Sequence, residues 1–339
     1  MIILILFSRP CLACSSFVGS SNIGRIFGAN LDLDWGDGMV FINKKGVHKS
    51  GYQMNARGET AEWTSIYGSV TFNLAGKEFA WSGMNEAGLI ISTMWLAESQ
   101  LPAPDDRYPL VSGFWVQYHL DNHSTIADVL ASADSIRLVD DLCHFLVSDN
   151  TGHYAVIEYL EGQMIAYPDN ALTLPVLTNH PYAAALQIQN GEISGEPFSS
   201  SSIIRFGKIA KLLGDFAGKD EKDSVVYAYS ILDAVASPDR TQWTIIYVPD
   251  VKKVFFRTQE SQTYRRLRLN AFDLSCTDPV LILDVNINNG GDISKMFRKY
   301  DHNANFSLFY GFTAWWGIEM TAEDAEEFIR YLESFSCQE

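Results

Sequence analysis

Basic residues, cysteines and long apolar runs are all scarce in this sequence. The 339 residues include 25 Lys and Arg against 41 Asp and Glu, so the formal net charge is −16. A protein this acidic is repelled by nucleic-acid phosphates and by anionic lipid surfaces, so neither is expected as a partner. No apolar stretch reaches the roughly 18 residues that a helix needs to cross a membrane, so no membrane span is expected. The hydrophobic fraction of 47% is instead typical of a globular protein with a large core.

The five cysteines do not form the pattern of a disulfide framework. They are Cys11, Cys14, Cys143, Cys276 and Cys337, an odd number at wide spacing in a long chain. Cys143 and Cys276 are expected to be buried core residues, and Cys337, in the polar C-terminal tail, is expected to have no role. Cys11 and Cys14 differ from these because they follow closely on an apolar segment.

The first residues resemble a short export signal. Residues 1–7 are apolar, and the segment that follows them ends in the small residue Ala13, as cleaved signals do. We therefore expect residues 1–13 to be a signal peptide or a propeptide, and Cys14 to become the first residue of the mature chain. A signal peptide implies a periplasmic or secreted protein, whereas removal of a propeptide is compatible with a cytoplasmic one.

The position of Cys14 allows three interpretations. With Cys11 it forms a C-x-x-C pair, as in redox and metal sites, but no second pair completes a zinc site. The second interpretation is lipidation, because residues 12–14 (LAC) resemble part of a lipoprotein signal. Against it, the residue three before Cys14 is Cys11 rather than a large aliphatic residue. The third interpretation is an N-terminal nucleophile.

An N-terminal cysteine can act as a catalyst without a histidine partner. A thiol attacks a carbonyl carbon only as the thiolate, and its free pKa is about 8.5. The α-amine of the same residue has a pKa of about 7.7–8.0, so it can take the thiol proton and later give it to a leaving nitrogen. The seven histidines of the chain form no pattern that competes with this mechanism.

Hydrophobic periodicity predicts a mixture of strands and helices. An N-terminal hairpin is expected from residues 14–18 and 25–33, and a C-terminal helix over residues 321–335 is expected to be capped by Thr321. Further strands are expected at residues 39–43, 65–73, 79–81, 89–95, 144–147, 154–159, 163–167, 243–248 and 254–258, and further helices at residues 110–120, 125–133, 203–216 and 225–235. Strands that do not alternate strictly with helices indicate an α+β layered sandwich, and the absence of a flexible linker favours one domain.

Five short motifs carry a resemblance to a known family. They are residues 14–17 (CSSF), 28–32 (GANLD), 83–89 (GMNEAGL), 177–181 (LTNHP) and 199–206 (SSSSIIRF). Their order and spacing resemble the choloylglycine hydrolase family, which includes penicillin V acylases, bile salt hydrolases and other linear-amide hydrolases of the N-terminal-nucleophile type. Residues 36–47 (GDGMVFINKKGV) look like the less characterised linear-amide branch. The resemblance extends from Cys14 to about Tyr310 and implies a four-layer αββα sandwich in a single domain, residues 14–339.

The resemblance implies roles for five residues. Cys14 matches the nucleophile, and Asp32 matches the carboxylate beside its amine, where an anion would orient the ammonium form and tune its pKa. Asn85 and Asn179 match two asparagines, of which one is expected to lend a backbone N–H and the other a side-chain amide to the developing oxyanion. Arg205 matches an arginine near the thiol, where a fixed cation would favour the thiolate.

The carboxylates around Asp32 have two other interpretations. Asp32, Asp34 and Asp37 are close enough in sequence to bind calcium, although their spacing does not fit an EF-hand loop. The sequence also allows a second register, in which Asp34 and Trp35 align with the Asp-Trp variants of the family. The position of the side chains in the fold distinguishes these possibilities.

The remaining matches have local explanations, and one position departs from the family. Asn85 and Asn179 each precede turn-forming residues, and Arg205 is compatible with the solvated start of a helix. Penicillin V acylases and bile salt hydrolases have arginine in the motif where this chain has Ala29. Because alanine carries no charge and donates no side-chain hydrogen bond, this change weakens a specific penicillin or bile-salt assignment more than it weakens the chemistry.

The sequence therefore predicts a hydrolase that cleaves a linear amide through an acyl-enzyme on Cys14. A small-molecule amide is the expected substrate, no metal or organic cofactor is needed, and the subunit count stays open, a homo-oligomer included. The alternative is a ligand-binding protein on the same fold, either anchored through a lipid on Cys14 or catalytically impaired by Ala29. The chemical state of the Cys14 amine in the mature protein separates the anchored form from the hydrolase.

Overall fold

The computed structural model describes residues 14–21, 24–140, 142–192, 201–216 and 220–338. The segment expected to be removed, residues 1–13, and the start of the fifth motif, residues 199–200, lie outside the described residues. Within the described ranges, every helix is too short or too polar to cross a membrane.

The regular structure consists of many short strands and seven helices in the described part of the chain. The strands in chain order are β1 (Ser15–Ser21), β2 (Gly24–Asp32), β3 (Met39–Asn43), β4 (Val47–Ser50), β5 (Glu62–Thr64), β6 (Ser69–Asn73), β7 (Ala80–Asn85), β8 (Ile90–Trp95), β9 (Tyr108–Val111), β10 (Ile136–Val139), β11 (Cys143–Ser148), β12 (Tyr154–Leu160), β13 (Gln163–Pro168), β14 (Val176–Leu177), β15 (Thr241–Val248), β16 (Lys253–Thr258), β17 (Arg265–Arg268), β18 (Leu281–Asp284), β19 (Gly291–Asp292), β20 (Arg298–Lys299) and β21 (Ser336–Cys337). The helices are α1 (Ser112–Asn122), α2 (Ile126–Ala131), α3 (Tyr182–Gln189), α4 (Ser201–Gly214), α5 (Glu221–Val235), α6 (His302–Trp316) and α7 (Ala322–Glu333).

Two large sheets organise these strands into a mixed α/β fold. One has seven strands in the order β14-β1-β2-β15-β16-β17-β19, and the other has nine in the order β13-β12-β11-β8-β7-β6-β3-β18-β20. Two smaller sheets pair β10 with β9 and join β21, β4 and β5. The predicted N-terminal hairpin is confirmed, because β1 and β2 pair antiparallel with Ser16 opposite Ala29.

The core consists of two clusters on opposite faces of the nine-stranded sheet. The first combines buried side chains of both large sheets with those of α3, α4 and α5. The second contains the other face of the nine-stranded sheet and the buried sides of α1, α2, α6 and α7. Each large sheet is therefore covered by apolar side chains, which explains why its strands are almost continuously buried.

A close side-chain contact explains the glycine of the second motif. A Cβ atom on Gly28 would lie 2.5 Å from the ring of Phe17, which belongs to the adjacent strand β1. Only glycine leaves room for this ring, so Gly28 allows the two strands of the hairpin to pack with Phe17 wholly buried. The hairpin in turn fixes the position of the residue that precedes β1, Cys14.

Several predicted element boundaries are wrong for identifiable reasons. Helix α1 begins at Ser112 because Leu110 and Val111 pair with β10 as part of β9. Helix α2 (Ile126–Ala131) is shorter than the predicted 125–133, since Thr125 is its cap and its side chain accepts the backbone N–H of Asp128. Helices α3 and α6 were not predicted. The C-terminal helix is confirmed as α7, with a capping box between Thr321 and Asp324.

Cys276 and Cys337 form a disulfide, which corrects the expectation that neither has a partner. Their Cα atoms are 5.5 Å apart across a sequence separation of 61 residues, a distance within the range of ordinary disulfides. This bond ties the C-terminal strand β21 to the loop that follows residue 272. Cys14 and Cys143 are buried and form no disulfide among the described residues, and the burial of Cys143 agrees with the expectation for it.

Candidate active site

Cys14 lies at the end of the hairpin, with its side chain directed between the two large sheets. Side chains alternate along β1, so Cys14 and Ser16 share a face, and the Ser16 hydroxyl reaches Met94 of β8 at 3.3 Å. Ser15 points to the opposite face, towards Arg205 of α4. The Cys14 side chain is 3% exposed and lines a cavity of about 210 Å³.

The surroundings of Cys14 disfavour ionisation of the thiol. Burial, reinforced by the negative charge of Asp32, raises the pKa of Cys14 from an ordinary 9.0 to about 12. A hydrogen bond from the Asp32 backbone N–H and the positive charge of Arg205 both act to lower this pKa, but burial outweighs them. The thiol therefore needs a base in contact with it before it can act as a nucleophile at neutral pH.

Asp32 is the buried carboxylate of the site. It ends β2 and is fully buried, and its Oδ1 accepts a hydrogen bond from the Thr241 hydroxyl at 2.5 Å. Its Oδ2 is also buried and has no hydrogen-bond partner among the described residues. Burial raises the pKa of Asp32 from 3.8 to about 6, although the Thr241 hydrogen bond and the charges of Arg205 and Arg240 lower it. An unpartnered buried carboxylate oxygen is costly, and a cation close to it would remove that cost.

The second register and the calcium site are both wrong for the described residues. Asp34 is 60% exposed and forms an ion pair with Arg240 at 3.2 Å, so it is not the carboxylate beside the thiol. Asp32, which is buried, takes that position. No group of three or more His, Cys, Asp or Glu side chains in the described ranges could hold a metal ion.

Arg205 links Asn179 to the N-terminal residues Cys14 and Ser15. The Arg205 guanidinium donates to the Cys14 carbonyl and to the Ser15 hydroxyl, and its other terminal nitrogen donates to Asn179 Oδ1 at 3.0 Å. The Asn179 amide nitrogen donates to the Trp95 carbonyl at 2.8 Å. Because Arg205 is 8% exposed and lies on the buried face of α4, it is not a solvated residue at a helix start.

Asn85 is not part of this cluster, which corrects its predicted role. Its amide nitrogen donates to the carbonyls of Leu120 and His123, and its Oδ1 accepts the backbone N–H groups of Ala87 and Leu89. The backbone N–H of Asn85 itself donates to the Leu89 carbonyl. Every hydrogen-bonding group of Asn85 is therefore used to hold the turn between β7 and β8, and none is left for an oxyanion.

Trp95 is a site residue that the sequence did not identify. It ends β8, lines the cavity with Cys14, and offers the carbonyl that Asn179 holds. Its position is fixed by β11, where it lies opposite Cys143. The only signal in the sequence is that an apolar strand ends in a large aromatic residue, which is common in core strands.

The rest of the cavity is strongly apolar and extends beyond the space between the sheets. Leu31, Leu33, Trp81 and Met94 belong to the first core cluster, whereas Ala75, Ala80, Cys143 and Phe309 belong to the second. Since the two clusters lie on opposite faces of the nine-stranded sheet, the cavity passes around the end of that sheet. Polar groups are few along this path and are supplied by Tyr52, Thr93, Ser112, Asp140 and Thr313.

Helices α6 and α7 and the segment between them form one wall of the cavity, which we call the aromatic wall. It consists of Phe309, Phe312, Thr313, Trp316, Ile318, Met320 and Phe328. Trp316 faces Trp95 with ring centroids 6.4 Å apart. Helix α6 begins at the side-chain cap Asp301 and ends at Gly317, which has a left-handed φ of 83°. Ordinary helix capping therefore sets both ends of the helix that carries most of the wall.

Ala29, where the family has arginine, lies in the core and does not line the cavity. It is wholly buried between the sheets, in register with Ile245 of β15. Arg25 does not replace the missing arginine, because its guanidinium lies against Gly152 and over the ring of Tyr154. The position where the resemblance implies an arginine is thus occupied by a buried methyl group here.

Comparison with known proteins shows the same family as the motifs. The family model of the linear amide C–N hydrolases, choloylglycine hydrolase family, matches residues 14–191. Among characterised proteins, the chain is 29% identical over 203 residues to a penicillin V acylase of Pectobacterium atrosepticum. The alignment covers 53% of this chain and 53% of that protein, so the chain spans about half the length of the relative it matches.

Two solved structures resemble the fold over most of its length. The penicillin V acylase from Agrobacterium tumefaciens superposes with a TM-score of 0.72 at 21% identity, covering 85% of this chain and 98% of that one. A variant of the conjugated bile acid hydrolase from Clostridium perfringens superposes with a TM-score of 0.63 at 18% identity, covering 85% and 97% of the two chains. At these identities the similarity shows the fold, which extends beyond the part matched by the family model.

Proposed function

Because the chain belongs to the linear amide C–N hydrolases, choloylglycine hydrolase family, we propose that it cleaves a linear amide with Cys14 as its N-terminal nucleophile. The observation that carries the proposal is the position of Cys14 at an apolar cavity, beside a buried carboxylate with an unpartnered oxygen. Attack of the thiolate on the amide carbon gives a tetrahedral oxyanion. Its collapse releases the amine and leaves an acyl thioester on Cys14, which water then hydrolyses to the free acid.

Removal of residues 1–13 would supply both missing parts of this mechanism. For a thiol with a pKa of about 12, the protonated form exceeds the thiolate at pH 7 by about five orders of magnitude. A free α-amine on Cys14 would take the thiol proton, and in its ammonium form it would offset the buried charge of Asp32 at the unpartnered Oδ2. We therefore propose that the mature protein is a single domain of residues 14–339.

Asn179 is the proposed side-chain donor to the oxyanion. Arg205 donates a hydrogen bond to the Oδ1 of Asn179, so the amide nitrogen of Asn179 faces the cavity. One hydrogen of that nitrogen binds the Trp95 carbonyl. The second amide hydrogen is the proposed oxyanion donor. In a strand, the N–H and C=O of one residue point to the same side, so we propose the Trp95 backbone N–H as the second donor, in place of Asn85.

The cavity supports an apolar, uncharged acyl group as the part of the substrate that is recognised. The aromatic wall and the residues of the first core cluster surround the path away from Cys14, and a buried charge on the substrate would have little to pair with there. The relatives to which the chain is similar do not identify the acyl group, because Ala29 stands where the resemblance implies an arginine.

The helices and sheets support the finer fold that the resemblance implies. Helices α4 and α5 contact β1 and β2, and α1 contacts β7 and β8 of the other large sheet. With the two sheets sharing one apolar cluster, this order supports a four-layer αββα sandwich of the N-terminal-nucleophile type. The disulfide between Cys276 and Cys337 supports a periplasmic or secreted location, since such bonds persist in oxidising compartments.

The test is to trap the acyl-enzyme on the mature chain. Protein beginning at Cys14 is mixed with a panel of acyl amides and quenched, and its intact mass is measured together with amine release. Wild type should gain the mass of the acyl group, Cys14→Ala should gain nothing, and Cys143→Ala, which removes the other free thiol at the cavity, should still form the adduct. Turnover by folded Cys14→Ala would overturn the proposal.

The intact mass of the mature protein purified after expression of the full sequence separates the alternative function. A mature chain that begins with an unmodified Cys14 supports the hydrolase, whereas a lipid on Cys14 supports an anchored ligand-binding protein. A trimmed, unmodified chain that binds acyl amides without releasing amine would indicate the catalytically impaired form.

A further inference from the structure

Behind the site, a fully buried histidine and glutamate form a pair that no part of the proposed chemistry uses. His144 Nδ1 lies 2.9 Å from Glu158 Oε1, and both side chains are 0% exposed. The pair lies on neighbouring strands β11 and β12. Two of its polar atoms, His144 Nε2 and Glu158 Oε2, are buried and have no hydrogen-bond partner among the described residues. A pair that leaves two polar atoms unsatisfied is expensive for stability alone.

The glutamate also holds the segment that carries Asn179. Glu158 Oε1 accepts the backbone N–H of Tyr182 at 2.9 Å, and Tyr182 is the first residue of α3. Pro181 precedes it without a side-chain cap for the helix. Glu158 therefore satisfies an N–H group that the start of α3 would otherwise leave unpaired, three residues beyond Asn179.

The histidine is fixed by the strand pair that also positions Trp95. His144 is in register with Met94, and the adjacent Cys143 is in register with Trp95. Met94 accepts the hydroxyl of Ser16, two residues from the nucleophile. The dyad thus links the strand pair that positions Trp95 to the segment that carries Asn179. These two residues are joined by the 2.8 Å hydrogen bond from the Asn179 amide to the Trp95 carbonyl.

We propose that His144 and Glu158 form a positioning dyad, which keeps the Asn179 amide aligned with the Trp95 backbone for the transition state. This inference rests on the proposed function of Cys14 and Asn179, and it adds two residues that touch neither substrate nor thiol. Glu158 holds the start of α3 through Tyr182, and His144 holds Glu158. The dyad acts through Asn179, so its effect should disappear when the Asn179 amide is absent.

A double-mutant cycle tests this dependence. Asn179→Ala should lower kcat by about 100-fold or more, as expected for an oxyanion donor. Glu158→Met removes the oxygen that accepts from Tyr182 and His144, so it should lower kcat by about 100-fold, the effect of a donor misplaced by about 1 Å, with KM changed little. In the Asn179→Ala background, Glu158→Met should cost less than about threefold, because residues that act as one unit are strongly non-additive.

A second buried carboxylate provides the matched control. Glu78 is 1% exposed and forms an ion pair with Lys49 at 2.8 Å, away from the cavity. Glu78→Met should alter the free energy of unfolding and should add to Asn179→Ala without coupling. His144→Asn, which keeps a donor at the position of Nδ1, should restore most of the activity that His144→Ala loses.

Hydrogen exchange at the Tyr182 amide gives a readout that does not depend on activity. Glu158→Met or Glu158→Ala should speed exchange at Tyr182 relative to the core strands, whereas Glu78→Met should not. Additive effects in the cycle, or unchanged exchange at Tyr182, would overturn the dyad. If wild type cleaved no acyl amide, the proposed function would fail, and the Tyr182 exchange would still decide whether Glu158 holds this segment.

Discussion

Arg205 donates to the side-chain oxygen of Asn179 at 3.0 Å, and this bond determines which end of the Asn179 amide faces Trp95. An asparagine amide can rotate by half a turn with little change in shape, so its orientation is set by its partners. A guanidinium carries only donors and can accept nothing. Arg205 thereby forces the oxygen of Asn179 towards α4 and the nitrogen towards the cavity.

Arg205→Lys should therefore impair catalysis although it keeps the charge. A lysine ammonium is a single point donor and cannot bridge the Cys14 carbonyl, the Ser15 hydroxyl and the Asn179 oxygen as the planar guanidinium does. We expect kcat to fall by about 100-fold with a small change in KM. Arg257→Lys, which changes an arginine paired with Asp233 on α5, is the control and should retain kcat.

Asp32→Asn should stabilise the untrimmed chain and should abolish turnover by the trimmed one. The folded-state pKa of Asp32, about 6, exceeds its ordinary 3.8, so the folded protein binds this proton more tightly than the unfolded chain does. That contribution to stability is complete below about pH 4 and is lost as the pH rises through 6. At pH 8 the neutral amide should be more stable by about 3 kcal/mol, and at pH below 4 the difference should vanish.

Urea unfolding of both proteins between pH 3.5 and 8 measures this effect, in the range set by the two pKa values. In a chain trimmed to Cys14, the ammonium would stabilise the carboxylate, and the advantage of Asp32→Asn should shrink. An equal gain in trimmed and untrimmed chains would contradict the contact between the Cys14 amine and Asp32.

Asn85→Ala should affect stability rather than catalysis. The substitution removes four hydrogen bonds within and around the turn between β7 and β8, so the free energy of unfolding should fall by about 2–3 kcal/mol. The kcat of the folded fraction should stay within about threefold of wild type. A loss of 100-fold or more in folded protein would restore Asn85 as an oxyanion donor.

Trp316→Ala should change which acyl groups are accepted. Trp316 belongs to the aromatic wall and faces Trp95, so its loss removes apolar contact from long acyl groups and little from acetyl. We expect kcat/KM to fall about tenfold for long apolar acyl amides, the equivalent of roughly 1.4 kcal/mol of contact. Tyr310→Ala is the matched control, because Tyr310 lies on the same helix, is exposed, and stacks on Phe306 without lining the cavity.

The part of the site built by local strand pairing was predictable from the sequence. Alternation in residues 14–18 and 25–33 predicts the hairpin, and the hairpin places Asp32 beside Cys14. The choice between Asp32 and Asp34 was not predictable, because it depends on which carboxylate the seven-stranded sheet buries. The four-layer order of the fold came from the resemblance rather than from periodicity.

The errors arose where a motif has a stronger local use or where partners are distant in sequence. Asn85 lies before Glu-Ala-Gly, and Gly88, with a φ of 91°, makes this segment a tight turn whose hydrogen bonds consume the asparagine. Helix α6 is rich in aromatic residues on several sides, so its periodicity is weak. Cys276 and Cys337 are separated by 61 residues, and an odd number of cysteines concealed the pair.

The aromatic wall lies entirely after residue 191, where the match to the family model ends, whereas Cys14, Asp32, Trp95 and Asn179 lie before it. With the exception of Arg205, the residues proposed to carry the chemistry thus lie in a stretch of the chain that precedes the aromatic wall. Grafting the C-terminal helical pair of one relative onto the N-terminal half of another should therefore exchange preference without rebuilding the chemistry. Such proteins can diverge through substitutions in one stretch while the other stretch is retained.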